Sequence, residues 1–215
     1  MKQNLRYKNI TISGLPATGS STLGKALAKV LDWEYFSGGD FMRAYAIKEG
    51  LFDKNNTFHH DATVYSDDFD REVDFGMRQT LSRSRGRILD SWLSGFMAQG
   101  VQGVLKILTF CSDNAIRIDR LVNRDNLTVD VVKMHIFERQ DKNLKKFSRL
   151  YHQEWNKWVV SKGVFKKNDK IDFWQPKLYD LAIDTYKFSK EQTLKIVLNK
   201  LGYKGKLDWK KVFEQ

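Results

Sequence analysis

The sequence predicts an α/β fold in three layers, with a parallel five-stranded sheet between two layers of helices. Five apolar, strand-like runs recur along the 215 residues, and helix-like patterns separate them. Strands that alternate with helices are typical of parallel sheets that are covered on both faces. The runs are 10–13, 34–36, 87–90, 104–110 and 178–184. Ligands bind such sheets beyond the carboxyl ends of the strands, so the loops after these runs are the candidate site loops.

The composition favours a single well-cored domain in the cytoplasm. No window approaches the roughly 20 apolar residues of a membrane span, and the first eight residues lack the apolar core of a signal peptide. The one cysteine, Cys111, excludes an intrachain disulfide and fits a reducing compartment. The net charge of +11 would attract polyphosphate ligands or nucleic acid without selecting between them. We expect a monomer that has no membrane partner.

The first strand leads into a glycine-rich turn with the frame of a phosphate-binding P-loop. Its residues are Gly14, Leu15, Pro16, Ala17, Thr18, Gly19, Ser20, Ser21 and Thr22. They match the pattern G-x-x-x-x-G-K-[ST], except that Ser20 stands in the place of the lysine. Backbone N–H groups and the start of the next helix would still bind phosphate, so a ligand that carries a phosphate group is expected. The missing cation must be supplied from elsewhere, or the site functions without it. An ordinary strand–turn–helix is the alternative.

Helical spacing is clearest in three segments. Apolar residues after the P-loop recur at 23, 27, 30 and 31, which predicts an amphipathic helix. The segment 128–160 is also predicted to be helical, with a break. Near the end of the chain, Ser189 and Gln192 form a capping box, and Gly202 ends the helix that they begin.

The loop after the second strand carries a candidate substrate segment. It contains Ser37, Gly39, Asp40 and Arg43, and its two adjacent glycines let the backbone pass close to a ligand. Arg43 would project from a helix start and could hold a phosphate through its fork of donors. A surface arginine on an amphipathic helix would give the same pattern.

The third strand ends at Asp90, where an acid can reach a magnesium ion. In this hypothesis the hydroxyl of Ser21 also lies on the Mg²⁺ side of the P-loop, so Ser21 and Asp90 are the predicted metal residues. The alternative is an aspartate that only caps the next turn.

Arginines follow the fourth strand at helical spacing. Arg117, Arg120 and Arg124 share one helix face, and Arg139 could join them from the next helix. Like charges on one face repel unless an anion lies against them, so we interpret Arg117, Arg120 and Arg139 as catalytic arginines for a transferring phosphoryl group. A solvated face or a nucleic-acid patch would look the same.

Taken together, these segments resemble the cytidylate kinase family of nucleoside monophosphate kinases, and in particular its short archaeal members. Those members also carry Ser or Thr in place of the P-loop lysine. Three further stretches resemble theirs: the substrate segment Ser37–Arg43, the acidic stretch Asp70–Asp74 and the late run Tyr179–Thr185. The likeness covers residues from about 8 to 203, which is nearly the whole chain.

The resemblance implies a phosphotransferase with three parts in one domain over 1–215. A core over 8–37, 85–111 and 162–203 would bind ATP and Mg²⁺, and an insertion over 38–84 would take CMP or dCMP. A lid over 112–161 would carry Arg117, Arg120 and Arg139. Arg43 would hold the acceptor phosphate, and Asp184 would lie near the base or ribose of a nucleotide.

One position departs from the family pattern. Family members carry an arginine that contacts the acceptor phosphate shortly after the third strand, whereas this chain has Trp92 there. Tryptophan cannot neutralise a phosphate, although it can stack on a base. Another cation could substitute, and Arg71 and Arg78 are the first candidates, followed by Arg85 and Arg87.

Because of this departure, other functions remain open. One is phosphoryl transfer to a different small acceptor. A pseudo-kinase that holds nucleotide or RNA without turnover is another, favoured by the missing arginine and the basic charge.

Overall fold

Five parallel strands form one sheet at the centre of the computed structural model, which describes residues 4–51 and 62–213. The strands are β1 (Asn9–Gly14), β2 (Glu34–Ser37), β3 (Arg87–Asp90), β4 (Val104–Phe110) and β5 (Leu181–Asp184). Their order across the sheet is β2-β3-β1-β4-β5. The predicted α/β fold with a parallel five-stranded sheet is confirmed. Residues 52–61 of the predicted insertion over 38–84, which include His59 and His60, lie outside the described residues.

Helices cover both faces of this sheet. They are α1 (Ser20–Leu31), α2 (Gly38–Lys48), α3 (Asp67–Arg83), α4 (Ser94–Met97), α5 (Asn114–Asp125), α6 (Val129–Leu150), α7 (His152–Trp158), α8 (Lys190–Leu201) and α9 (Trp209–Phe213). Single 3₁₀ turns occur at Ala62–Val64, Val160–Lys162 and Pro176–Leu178. Within the described ranges, no helix is long and apolar enough to cross a membrane.

The two faces of the sheet bury different kinds of side chain. Against α1, α8 and α9 the core is aliphatic, with Ile10, Leu27 and Leu194 fully buried. Against α4, α6 and α7 it is aromatic, and Phe96, Tyr151 and Trp155 are almost completely buried there. Because side chains of adjacent strand residues point to opposite faces, continuous apolar strands fill both cores.

The predicted elements match the structure closely, with one shift. The capping box of α8 is present, and Gly202 ends the helix in a left-handed conformation. The helical segment over 128–160 breaks at Tyr151, between α6 and α7. The last strand begins at Leu181 rather than at 178, because Pro176 has no N–H and starts a 3₁₀ turn.

The predicted parts of the chain contain distinct elements. All five strands fall in the ranges predicted for the core, whereas α2 and α3 fall in 38–84 and α5, α6 and α7 fall in 112–161. Residues of 112–161 pack on residues of 38–84. Asn143 of α6 accepts a hydrogen bond from the backbone N–H of Ala62 (2.6 Å), and Lys146 donates to the carbonyl of Ala62 (2.7 Å).

Buried charges join α3 to α6 and to the break that follows it. The ammonium of Lys146 lies 2.6 Å from Asp70 Oδ2, and the hydroxyl of Tyr151 donates to Asp74 Oδ2 (2.5 Å). Asp74 is buried, and this burial raises its pKa to about 7, although the hydrogen bond from Tyr151 acts in the opposite direction. The folded protein therefore keeps a proton on Asp74 that the unfolded chain has lost at the same pH.

This proton predicts a pH dependence of stability. Between about pH 4 and pH 7, unfolding releases the Asp74 proton, so the free energy of unfolding falls as the pH rises, by at most about 1.4 kcal/mol per pH unit. Asp74→Asn removes the titration. We expect the variant to gain stability relative to the natural protein as the pH rises from 4.5 to 7.5 in urea unfolding.

Asp68→Asn on the exposed side of α3 is the matched control. A stability difference between Asp74→Asn and the natural protein that stays constant over this pH range would show that Asp74 is ionised in the fold.

Candidate active site

The glycine-rich loop after β1 is closed tightly on itself and on β4. A Cβ at Gly14 would lie 2.4 Å from Thr18 Oγ1 and 2.5 Å from Thr109 Oγ1, so only glycine fits there. Thr18 donates to the carbonyl of Leu15 (2.8 Å), which closes the turn. Gly19 has a φ of +83°, a conformation that glycine adopts without strain. The geometry explains both glycines of the sequence pattern.

The loop leads directly into α1. No side chain caps this helix at Gly19. The N–H groups of the first turn, from Ser20 to Thr22, are therefore left to an external acceptor. An anion at this position would also meet the positive end of the helix dipole. The loop and the helix start together form a phosphate cradle.

Beside the cradle, Asp90 receives hydrogen bonds from two hydroxyl groups. Ser21 Oγ donates to Asp90 Oδ2 (2.7 Å), and the hydroxyl of Tyr35 on β2 donates to the same oxygen (2.8 Å). Burial raises the pKa of Asp90, while the hydrogen bonds from Ser21 and Tyr35 oppose the rise. The predicted metal residues Ser21 and Asp90 are thus in direct contact.

The oxygen donors of Ser21 and Asp90 fit Mg²⁺, which prefers such ligands. In the part of the chain that the structure describes, no group of three or more His, Cys, Asp or Glu residues could hold a metal ion by itself. Magnesium is commonly bound by one or two protein oxygens together with phosphate oxygens of a substrate. The site therefore fits a metal that arrives with a nucleotide.

Two arginines of α5 hold the outer side of the phosphate loop. Arg120 donates to the carbonyl of Ala17 (3.1 Å) and to the hydroxyl of Thr185 after β5 (3.0 Å). Arg117 is buried and donates through Nε to the carbonyl of Pro16 (3.2 Å), and its burial lowers the pKa of its guanidinium. Two positive charges thus lie against the loop that has Ser20 in place of a lysine.

The candidate substrate segment lies next to Asp90. Ser37 caps α2 by accepting from the N–H of Asp40 (3.2 Å), and Arg43 forms an ion pair with Asp40. A Cβ at Gly38 would lie 2.9 Å from Cβ of Ser91, so the start of α2 contacts the loop after β3 directly. Gly39 follows in the first turn, where a Cβ would lie 3.6 Å from Nη1 of Arg43. The substrate segment therefore adjoins the end of β3, where Asp90 lies.

Arg71 and Arg78, the first candidates to replace the family arginine, have protein partners. Arg71 donates to Glu154 (2.6 Å) and to the carbonyl of Leu150 (3.0 Å). Arg78 donates to the carbonyls of Met97 and Gln99, the latter at 2.9 Å. These contacts hold α3 against α7 and α4, and they give no support to a role for either arginine in phosphate binding.

Trp92 contacts Arg139, a residue that the sequence analysis assigns to the lid. The guanidinium carbon of Arg139 lies 5.0 Å from the centre of the Trp92 ring. Trp174, which no sequence pattern pointed to, packs edge-on against Trp92 at 5.6 Å and donates to its carbonyl (3.0 Å). The segment around Trp174 has neither helical nor alternating periodicity, so a single sequence offers no signal for this contact.

These features define a class of protein. A parallel sheet in the order β2-β3-β1-β4-β5, with a phosphate cradle after β1 and an acid at the end of β3, is the architecture of a P-loop kinase. A model of the cytidylate kinase-like family matches residues 9–187. The chain belongs to that family. The predictions of a kinase and of its family are confirmed.

Curated relatives are similar over nearly their whole length. The cytidylate kinase of Haloarcula marismortui is 29% identical over 192 residues, which cover 88% of this chain and 87% of the relative. The cytidylate kinase of Methanosarcina mazei is 28% identical over 191 residues, covering 87% of this chain and 93% of the relative.

Among solved structures, two kinases share the fold at low sequence identity. A gluconokinase from Sinorhizobium meliloti has a TM-score of 0.53 at 11% identity and covers 92% of this chain and 93% of its own. A shikimate kinase from Acinetobacter baumannii has a TM-score of 0.50 at 16% identity, covering 93% and 96%. At such identity these likenesses support the fold alone.

The contact between Ser21 and Asp90 predicts a separation of binding from turnover. Ser21→Ala removes the hydroxyl but leaves the backbone cradle intact. We expect kcat with Mg²⁺ to fall by about tenfold or more, while the Kd for ATP without metal changes by less than about threefold. Steady-state kinetics and calorimetry measure the two quantities.

Tyr35→Phe is the matched control, because it removes the other hydrogen bond to Asp90 and leaves Ser21 in place. Equal losses of ATP affinity and of turnover in Ser21→Ala would show that the Ser21 hydroxyl is not a ligand of the metal.

Proposed function

We propose that this kinase transfers the γ-phosphoryl group of ATP to CMP or dCMP. One observation carries the proposal: the phosphate cradle and the substrate segment meet at Asp90, where Ser21 donates to the carboxylate and Gly38 contacts the next residue, Ser91. A donor phosphate on the loop and an acceptor at the start of α2 would therefore be neighbours. The names of the curated relatives support cytidylate as the acceptor.

The donor side would be held by backbone and by arginine. N–H groups from Gly14 to Thr22 would bind the β-phosphate of ATP, and Arg117 and Arg120 would add the positive charge that Ser20 lacks. Ser21 and Asp90 would hold Mg²⁺, which supplies charge neutralisation to the phosphate oxygens. The hydroxyl of Tyr35 would keep Asp90 in place.

On the acceptor side, the reaction needs correct orientation of the monophosphate more than it needs acid–base catalysis. An ionised phosphate oxygen of the monophosphate can attack the γ-phosphorus directly, forming one P–O bond as the bond to the ADP oxygen breaks. Arg43 would orient the acceptor phosphate, and Arg139 would stabilise the charge that spreads over the transferring group. Ser37, Gly39 and Asp40 would shape the turn at which the acceptor lies.

A coupled assay of ADP release over a panel of monophosphates tests this function. With Mg²⁺ and ATP, we expect CMP or dCMP to give the highest kcat/KM, and ADP release without an acceptor to stay near background. Asp90→Asn is expected to lower kcat by about 100-fold or more, on the scale of a lost preorganised charge in an active site.

Two results would contradict the proposal. If ATP binds but no monophosphate stimulates ADP release, the chain is a nucleotide-binding pseudo-kinase. If a purine monophosphate or a sugar acid exceeds CMP and dCMP by more than about tenfold in kcat/KM, the acceptor is of another class.

A further inference from the structure

Much of the positive charge of this protein is concentrated on one face. Three segments form that face, α1, α8 and residues 202–213, and each contributes buried side chains to the same aliphatic core. Together they contain nine lysines and two acidic residues, Glu191 and Asp208, which is +7 of the formal net charge of +11. We call this surface the lysine face. Its lysines are Lys25, Lys29, Lys190, Lys195, Lys200, Lys204, Lys206, Lys210 and Lys211.

The lysine face is open to solvent, and its two acids do not neutralise it. Eight of the lysines are exposed, and Lys200 is half-buried. Glu191 accepts a hydrogen bond from Ser189 Oγ at the start of α8 (2.8 Å), and Asp208 lies 3.8 Å from the ammonium of Lys211, beyond hydrogen-bond distance. Like charges at this density repel one another and destabilise the fold unless an anion lies against them.

The three segments of the lysine face adjoin one another. Helix α1 packs against both α8 and α9. The ammonium of Lys190 at the start of α8 lies 4.8 Å from the centre of the Phe213 ring in α9. Because Leu27, Leu194 and Val212 bury the inner sides of the three helices, the exposed lysines lie on their outer sides. The lysines therefore share one surface.

Residues 202–213 begin at the opposite edge of the sheet from the proposed active site. The site lies at the carboxyl ends of the strands, where Ser21 contacts Asp90. At the other edge, the backbone N–H of Arg6, which precedes β1, donates to the carbonyl of Leu201 at the end of α8 (3.0 Å). Residues 202–213 follow directly. A ligand on this segment would therefore leave the phosphate cradle open.

An exposed aromatic ring lies among these lysines. Trp209 is the first residue of α9, between Lys206 and Lys210 in the chain, and 38% of its surface is exposed. Its ring is parallel to that of Phe213, one turn later, to within 5°. A large apolar side chain at the surface is costly by itself, but a flat exposed ring is one on which a base can stack. Cations around an exposed aromatic ring are typical of surfaces that bind single-stranded nucleic acid.

An anionic membrane would also attract lysines, but membrane binding needs apolar side chains that enter the bilayer. Amphipathic helices that bind membranes present a broad apolar face. Helix α9 has five residues, and among the described large apolar side chains of the three segments Trp209 alone is exposed. One ring among nine lysines suits a flexible polyanion that carries bases better than it suits a lipid surface.

We propose that the lysine face binds single-stranded nucleic acid without regard to its sequence. The lysine ammonium groups contact successive phosphates, and the ring of Trp209 stacks on a base. These side chains have no part in the proposed phosphoryl transfer, so nucleic-acid binding is a separate property that does not depend on the identity of the acceptor.

Fluorescence anisotropy of a labelled oligouridine of about 20 nucleotides tests the proposal on the full chain. We expect binding at low salt that weakens steeply as salt is added. The slope of log Kd against log [salt] should be about 3 or more, because each phosphate neutralised on a single strand contributes about 0.7. A natural protein that does not bind the oligouridine at low salt, or whose Kd does not depend on salt, would overturn the proposal.

Variants of the lysine face locate the binding. The triple variant Lys195→Gln/Lys206→Gln/Lys210→Gln should raise the Kd about tenfold or more and lower the salt slope by about 2. Trp209→Ala should raise the Kd about fivefold or more, on the scale of one lost stacking contact, and should leave the slope unchanged. Thermal unfolding checks that both variants fold. Trp209→Phe keeps an aromatic ring and should bind within about threefold of the natural protein.

The triple variant Lys133→Gln/Lys145→Gln/Lys157→Gln is the matched control. These exposed lysines belong to α6 and α7, which cover the other face of the sheet, and their loss changes the net charge equally. The control should keep the Kd within about twofold of the natural value. Equal weakening by the two triple variants would show an effect of net charge alone and would overturn the proposal. So would an unchanged Kd in Trp209→Ala, or tighter binding of the natural protein to phosphatidylserine vesicles than to the oligouridine, which would identify a membrane surface.

Discussion

The closure of one turn against β4 fixes the phosphate cradle and, through it, the rest of the site. Gly14 fits between the hydroxyl groups of Thr18 and Thr109, which themselves lie 3.0 Å apart. Any side chain at Gly14 would push the loop away from β4. The same turn sets the direction of α1 and places Ser21 against Asp90. A single steric constraint thereby joins β1, β3 and β4 at the edge of the sheet where ligands bind.

The cradle has no lysine, but two arginines of α5 bring positive charge against the loop. Arg117 and Arg120 reach the loop from α5 by donating to the carbonyl groups of Pro16 and Ala17. Arg120 also binds the loop after β5 through Thr185. Because these arginines belong to the segment predicted as the lid, their hydrogen bonds attach that segment to the glycine-rich loop and to the loop after β5.

A second set of buried charges couples α3 to the same segment. Lys146 of α6 pairs with Asp70 of α3, and Tyr151 binds Asp74 one turn further along. Burying these groups is costly unless each has its partner, so α3 and α6 are held in one relative arrangement. That arrangement places Arg139, two turns before Lys146 on α6, over Trp92.

Local patterns in the sequence predicted much of the fold. The strands, the P-loop, the break near Tyr151 and the capping box of α8 depend on neighbouring residues, and all were found. The contacts of Arg71, Arg78 and Trp174 could not be predicted, because their partners lie between 19 and 83 residues away in the chain. Charge on one face of a helix does not reveal which carboxylate or ring lies opposite.

The direct test of this account is the affinity of Arg120 variants for Mg·ATP. If α5 replaces the missing lysine, Arg120→Met should raise the Kd about tenfold or more, since charge-assisted contacts of this kind contribute about 1.5–3 kcal/mol. Arg149→Met, an exposed and ion-paired arginine, should leave the Kd within about twofold. An Arg120→Met variant that is folded and binds Mg·ATP as tightly as the natural protein would show that the cradle needs no cation from α5.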